Sequence, residues 1–67
     1  MNDNEKKEML FKTAFRVFVK YDDTTDVIRA KEVWCEYRGL FKAIEIMGLV
    51  TEFVAYCKKM GWDVTIP

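Results

Sequence analysis

Residues 27–48 read VIRAKEVWCEYRGLFKAIEIMG, and the spacing of their apolar side chains decides the fold class. Val27, Ala30, Trp34, Tyr37, Phe41, Ile44 and Gly48 follow one another in steps of three and four. That spacing places them on one stripe of a single helix. Val33, Leu40 and Met47 form a second apolar row beside it. The apolar face is therefore wider than the seam of a two-stranded coiled coil. Ile28 and Ile46 point away from the stripe and suggest a second buried surface.

The flanking residues punctuate this helix. Asp22-Asp23-Thr24-Thr25-Asp26 precedes it, and Asp and Thr favour turns and N-caps because their side chains bond to nearby backbone. The start is expected at Thr25 or Asp26, with the helix over 26–47. Gly48 follows as a left-handed cap. Gly39 interrupts the helix at a cost of about 1 kcal/mol relative to Ala, which either admits a close neighbour or marks a weak point.

Upstream, Leu10, Phe11, Ala14, Phe15, Val17, Phe18 and Tyr21 share a face, and Glu8, Lys12, Arg16 and Lys20 recur on the other. This predicts a helix over 3–21, opened by Asn2 and Glu5 in a capping-box arrangement. Residues 15–21 also alternate as a strand would. Their only pairing partner would be the 62–66 segment, and an isolated two-stranded ribbon is marginal, so helix is preferred. Downstream, Thr51 is expected to cap a third helix over 51–60, with Phe53, Val54, Cys57 and Met60 inward and Gly61 ending it. Residues 62–67 read as a short extended tail whose Trp62 and Val64 fold back as cover.

The expectation is thus an all-α single domain, 1–67: a three-helix bundle with a long central helix between two shorter ones. A chain of 67 residues buries only about 60% of its unfolded surface. It carries ten aromatic residues (two Trp, three Tyr, five Phe), each with roughly 150–250 Å² to bury. That excess predicts a homodimer, with part of the stripe as its interface. Trp34, Tyr37, Arg38, Phe41 and Ile46 are the candidate interface residues, since Trp, Tyr and Arg are enriched at interface centres.

Composition narrows the chemistry. Eleven basic and eleven acidic residues balance to zero, unlike the basic excess of polyanion binders. The sequence holds no His, Ser or Gln, which removes Ser–His and Cys–His pairs within the chain. Its three glycines are isolated, so there is no phosphate-binding glycine loop. The Glu32–Glu36 pair reads as a solvated helix face rather than an acid–base couple. Cys35 and Cys57 make no disulfide framework and no zinc-ligand spacing. They are expected as buried or half-buried thiols. Glu36 next to Cys35 disfavours a reactive thiolate. No cofactor or metal is expected. No apolar run approaches the ~20 residues of a membrane span, and the first residues do not resemble a signal peptide. A cytoplasmic location is expected.

An enzyme completed by a partner chain is the least favoured class, and two functions stand above it. The preferred one is a small non-catalytic interaction or adaptor protein that occupies a surface on another protein. An accessory protein of a phage or mobile element that inhibits a host enzyme would have this size and this lack of chemistry. The alternative is a helix-turn-helix-like DNA-binding regulator. Met47-Gly48-Leu49, then Val54 and Cys57, approximate that pattern, with Thr51 opening the reading helix. Ile44 and Val50 depart from it, and Glu52 would repel phosphate. Lys12, Arg16, Lys20, Lys58 and Lys59 are the candidate nucleic-acid contacts, with a solvated, dipole-matched face the plainer explanation.

Overall fold

A computed structural model describes residues 3–67. It contains three helices, α1 (Asp3–Asp23), α2 (Val27–Ile46) and α3 (Val50–Lys59). No strand is present among the described residues. Residues 15–21 are helical because the 62–66 segment packs as a lid and offers no ladder to pair with. The Asn2 part of the expected capping box lies outside the described residues. α2 is not flanked by two shorter helices: α1 has 21 residues and α2 has 20. α1 continues past Tyr21 through Asp22 and Asp23, and Asp26 stays outside α2 as its cap.

The helix ends follow from local hydrogen bonding. Thr24 closes α1, its N–H donating to the Tyr21 carbonyl and its hydroxyl to the Lys20 carbonyl. The Asp26 carboxylate accepts from the Ile28 and Arg29 backbone N–H groups at 2.9 and 3.2 Å. This satisfies two of the donors a helix start leaves open. At the other end of α2, Leu49 N–H donates to the Ile44 carbonyl and Gly48 N–H to the Glu45 carbonyl. Gly48 sits at φ 72°, the left-handed geometry this paired cap requires. α3 ends identically, with Trp62 to Cys57, Gly61 to Lys58, and Gly61 at φ 84°.

The start of α3 departs from expectation. Its N-cap is Leu49, without a side-chain cap bond, and Thr51 lies exposed inside the first turn. The α2 cap spends Leu49 on the Ile44 carbonyl, and the same residue accepts the first α3 bond from Phe53 N–H at 2.9 Å. The turn is therefore too tight to leave Thr51 outside the helix.

One core joins the helices: Phe11, Ala14 and Phe18 from α1, Tyr37, Phe41 and Ile44 from α2, and Phe53 and Cys57 from α3. Tyr21 against Trp34 and Phe18 against Tyr37 run α1 and α2 in opposite directions. Phe53 wedges between Phe11 and Phe41, with ring centroids 5.5 and 6.2 Å away. Trp62 meets Phe15 and Phe18 edge-on, so the tail closes the core as expected. Met60, expected inward, is half out in solvent because α3 has ended and the chain turns at Gly61. No helix among the described residues is long and apolar enough to cross a membrane.

Candidate functional site

The middle of the aromatic stripe is core. Phe11, Phe18, Tyr37, Phe41 and Phe53 are buried, and Phe15, Tyr21, Trp34, Tyr56 and Trp62 are half-buried. No ring is left exposed, so the aromatic excess does not by itself call for a second copy. Among the candidate interface residues, Tyr37 and Phe41 are 0% and 2% exposed. They are corrected to core residues, because α1, α3 and the tail together cover the stripe's middle. Trp34 is half-buried against Tyr21 and Tyr37. Arg38 and Ile46 are exposed.

Tyr37 and Cys57 are the buried titratable side chains of this core. The Tyr37 hydroxyl donates to the Thr65 carbonyl oxygen at 3.1 Å. Burial, then the neighbouring Cys57, pushes the phenol up to about 12. Burial likewise pushes the Cys57 thiol up to about 11. Both are held in their neutral, unreactive forms at neutral pH. Cys35, expected at least half-buried, is exposed. It projects from the side of α2 opposite Tyr37, since two residues along a helix turn about 200°.

The apolar surface lies elsewhere. Met9, Val27, Ile28, Ile46, Met47, Met60 and Ile66 are each more than half exposed. Val27 and Met47, on the apolar rows of α2, lie at its two ends and are mostly exposed. Three groupings result. Met9 and Met60 flank Tyr56 in a depression between α1 and α3, rimmed by Glu5, Glu8 and Lys12. Val27 borders a second depression with Tyr21, Ala30 and Trp34 at the α1–α2 corner. Ile28 and Ile46 stand at opposite ends of the outer face of α2.

The five candidate nucleic-acid contacts do not form one patch. Lys12 belongs to the methionine depression, beside two glutamates. Lys59 lines the opposite side of Tyr56 with Lys7, Glu8 and Glu52. Lys7 is tied to Glu52 at 2.8 Å. Arg16, Lys20 and Lys58 are exposed on α1 and α3. Acidic groups thus interrupt the basic ones where α1 and α3 meet. Among the described residues no group of three or more Cys, Asp or Glu is placed to hold a metal ion.

Comparison with protein families, curated proteins and solved structures finds no match for this chain.

The methionine depression is hidden in the sequence because Met9 lies off the α1 apolar face and Met60 falls on the inward spacing of α3. The usable signal was Met60-Gly61: a residue directly before a left-handed glycine is at a helix end and escapes its packing.

Proposed function

We propose that this chain is a small, non-catalytic, cytoplasmic interaction protein that occupies a surface on another protein and self-associates as a homodimer, each copy closing as a three-helix bundle. The observation that carries this reading is the depression between α1 and α3. Met9 and Met60, 54% and 51% exposed, flank the half-buried Tyr56 there. Exposed methionines leave unbranched, polarizable side chains free to fit irregular apolar surfaces. Tyr56 supplies a rigid ring with a polar tip, as interface centres favour. Glu5, Glu8 and Lys12 give the rim both signs of charge, which suits a protein partner better than a polyanion.

The test is affinity capture with the wild-type chain beside Met9→Asp and Met60→Asp variants. Both residues are already half in solvent, so circular dichroism and melting temperature are expected to change little. A protein retained by the wild type and lost from both variants supports the reading. A set of retained proteins identical for all three chains overturns it.

One observation keeps the regulator alternative in view. α2 and α3 are joined by a tight glycine turn, and Thr51, Glu52, Ala55, Lys58 and Lys59 are exposed along α3. Glu52 occupies the part of that face nearest α1 and holds Lys7. Gel-shift binding that weakens steeply with salt would favour this second reading over the first.

A further inference from the structure

We propose that the outer face of α2 is the homodimer contact, and that two copies pair through it antiparallel, about a two-fold axis level with position 37 along the helix. This rests on the self-association included above, not on the partner-binding depression, which lies between the other two helices.

Ile28 and Ile46 are eighteen positions apart, five full turns at about 3.6 residues per turn, so they share one azimuth of α2. Between them the same stripe carries Glu32, Cys35, Gly39 and Lys42, in alternating steps of four and three. That is the heptad spacing of a helix-pairing seam, here with large apolar side chains only in its two end layers. All six residues are exposed. A Cβ built on Gly39 meets nothing within 4 Å. Gly39 is therefore not accommodating a neighbour within its own chain, and its place on this face is open for close approach by another helix.

The order of the six residues is self-complementary. The pairs 28/46, 32/42 and 35/39 are all centred on position 37. In an antiparallel pair, Ile28 of one copy therefore meets Ile46 of the other at both ends. Glu32 meets Lys42 in the layers inside them, and Cys35 meets Gly39 next to the axis. On one flank, Lys31 lies level with Glu45 of the second copy to within about one turn. The Lys42–Glu45 contact within each copy, at 3.0 Å, then extends to Glu32 and Lys31 of the other.

A parallel pair would set Glu32 against Glu32 and Lys42 against Lys42. Charge thus selects the antiparallel orientation, because like charges facing each other across a contact are penalised. Three features oppose the pairing, the first being Pro67, which lines one depression with Cys35, Gly39 and Lys42, so that the end of the tail must stay clear of the second copy. Glu36 and Arg38, on opposite flanks, each approach their own counterpart across the axis, and their side chains must splay into solvent. With only two isoleucine layers and a single helix pair, the contact is at the small end of specific interfaces. The dimer is therefore weak and concentration-dependent.

Sedimentation equilibrium from micromolar to millimolar chain tests it on four proteins: wild type, Glu32→Lys, Lys42→Glu, and the double exchange. The two-fold axis makes each single exchange create two like-charge contacts. Each is expected to weaken dimerisation by about tenfold or more. The double exchange is expected to restore it. A short bis-maleimide should join Cys35 to Cys35 in the wild type and the double variant, much less in the single variants, and not in Cys35→Ser. All substituted positions are exposed on a helix, so folding is checked by circular dichroism and should persist. A strict monomer throughout that range overturns the proposal. So does a dimer indifferent to all three charge variants, which is the outcome of a parallel pair or of another face. The single exchanges leave the Met9–Met60 depression intact. Loss of dimer with retained partner capture, or the reverse, therefore separates failure here from failure of the function proposed above.

Discussion

The Tyr37 hydroxyl donates to the Thr65 carbonyl oxygen across 28 positions of sequence, at 3.1 Å. This bond gives the one phenol sealed in the core a partner, and it fixes the backbone of the tail over the helices. Trp62 and Val64, both packed against the core, are held by the same strap. Removing the hydroxyl removes donor and obligation together, leaving only a carbonyl next to solvent. Tyr37→Phe is therefore expected to cost about 0.5–1.5 kcal/mol in urea denaturation. Its sharper signature is faster exchange of the Trp62 amide, which donates to the Cys57 carbonyl, with little change in α1. Unchanged exchange there would mean that packing of Trp62 alone secures the start of the tail.

Tyr37 and its buried neighbour Cys57 set an alkaline limit. Tyr37 and Cys57 have their protons held to about 12 and about 11 in the folded chain, against ordinary values of 10.0 and 9.0. Between those values the unfolded chain has already released protons that the folded chain retains. The unfolded state then binds fewer protons, so stability falls as pH rises. The contribution is fully present below pH 9 and is lost between about pH 9 and 12. Urea midpoints measured across that range should decline. The decline above pH 10 should be shallower in Tyr37→Phe than in the wild type.

Phe53 is fully buried and wedged between Phe11 and Phe41. Truncation to Ala should cost about 3–5 kcal/mol. A domain of this size is stable by about 3–10 kcal/mol in total, so the variant is expected to lose a large share of that margin, read as a steep fall of the urea midpoint followed by circular dichroism. Trp34→Ala should be milder, because Trp34 is only half-buried and lies at the edge of the ring cluster. Equal losses for the two would mean that the α1–α2 corner matters as much as the centre.

Much of this architecture was legible because it is written in local chemistry. Asp26, Gly48 and Gly61 mark helix ends through bonds that depend on neighbouring backbone alone. The inward faces of α1 and the middle of α2 follow from helical spacing. Solid geometry was not legible. Ten rings looked too many for one small chain, yet α3 and the tail wrap the stripe closely enough to leave none exposed. Periodicity assigns a residue to a face but not to a position along the neighbour, so Val27, Met47 and Met60 fall on inward spacings and are nevertheless more than half exposed. Thr51 failed as a cap for a related reason: the brevity of the turn before it is a property of two caps sharing Leu49.

Asp26→Ala removes the acceptor for the Ile28 and Arg29 N–H groups. A cost of about 1 kcal/mol is expected. α3 has no side-chain cap to lose, so Thr51→Ala should change stability by no more than a few tenths of a kcal/mol. Thermal melts of the two variants side by side test the assignment. A larger loss at Thr51 would return the helix start to that residue.

Gly39 ties monomer stability to self-association. It sits in the interior of α2, at no positive φ and with open space where a Cβ would go. In the single chain, Gly39→Ala should therefore stabilise by about 0.5–1 kcal/mol, by reducing the freedom of the unfolded backbone. Gly48→Ala and Gly61→Ala should do the opposite, costing about 1–2 kcal/mol each, because both positions are left-handed. If two α2 helices meet near position 37, Cys35 of one copy faces Gly39 of the other, and an added methyl holds the helices apart. Gly39→Ala should then melt higher at dilute chain and yet dimerise less at concentrated chain. A variant more stable at every concentration, with undiminished dimer, would show that nothing packs on this glycine.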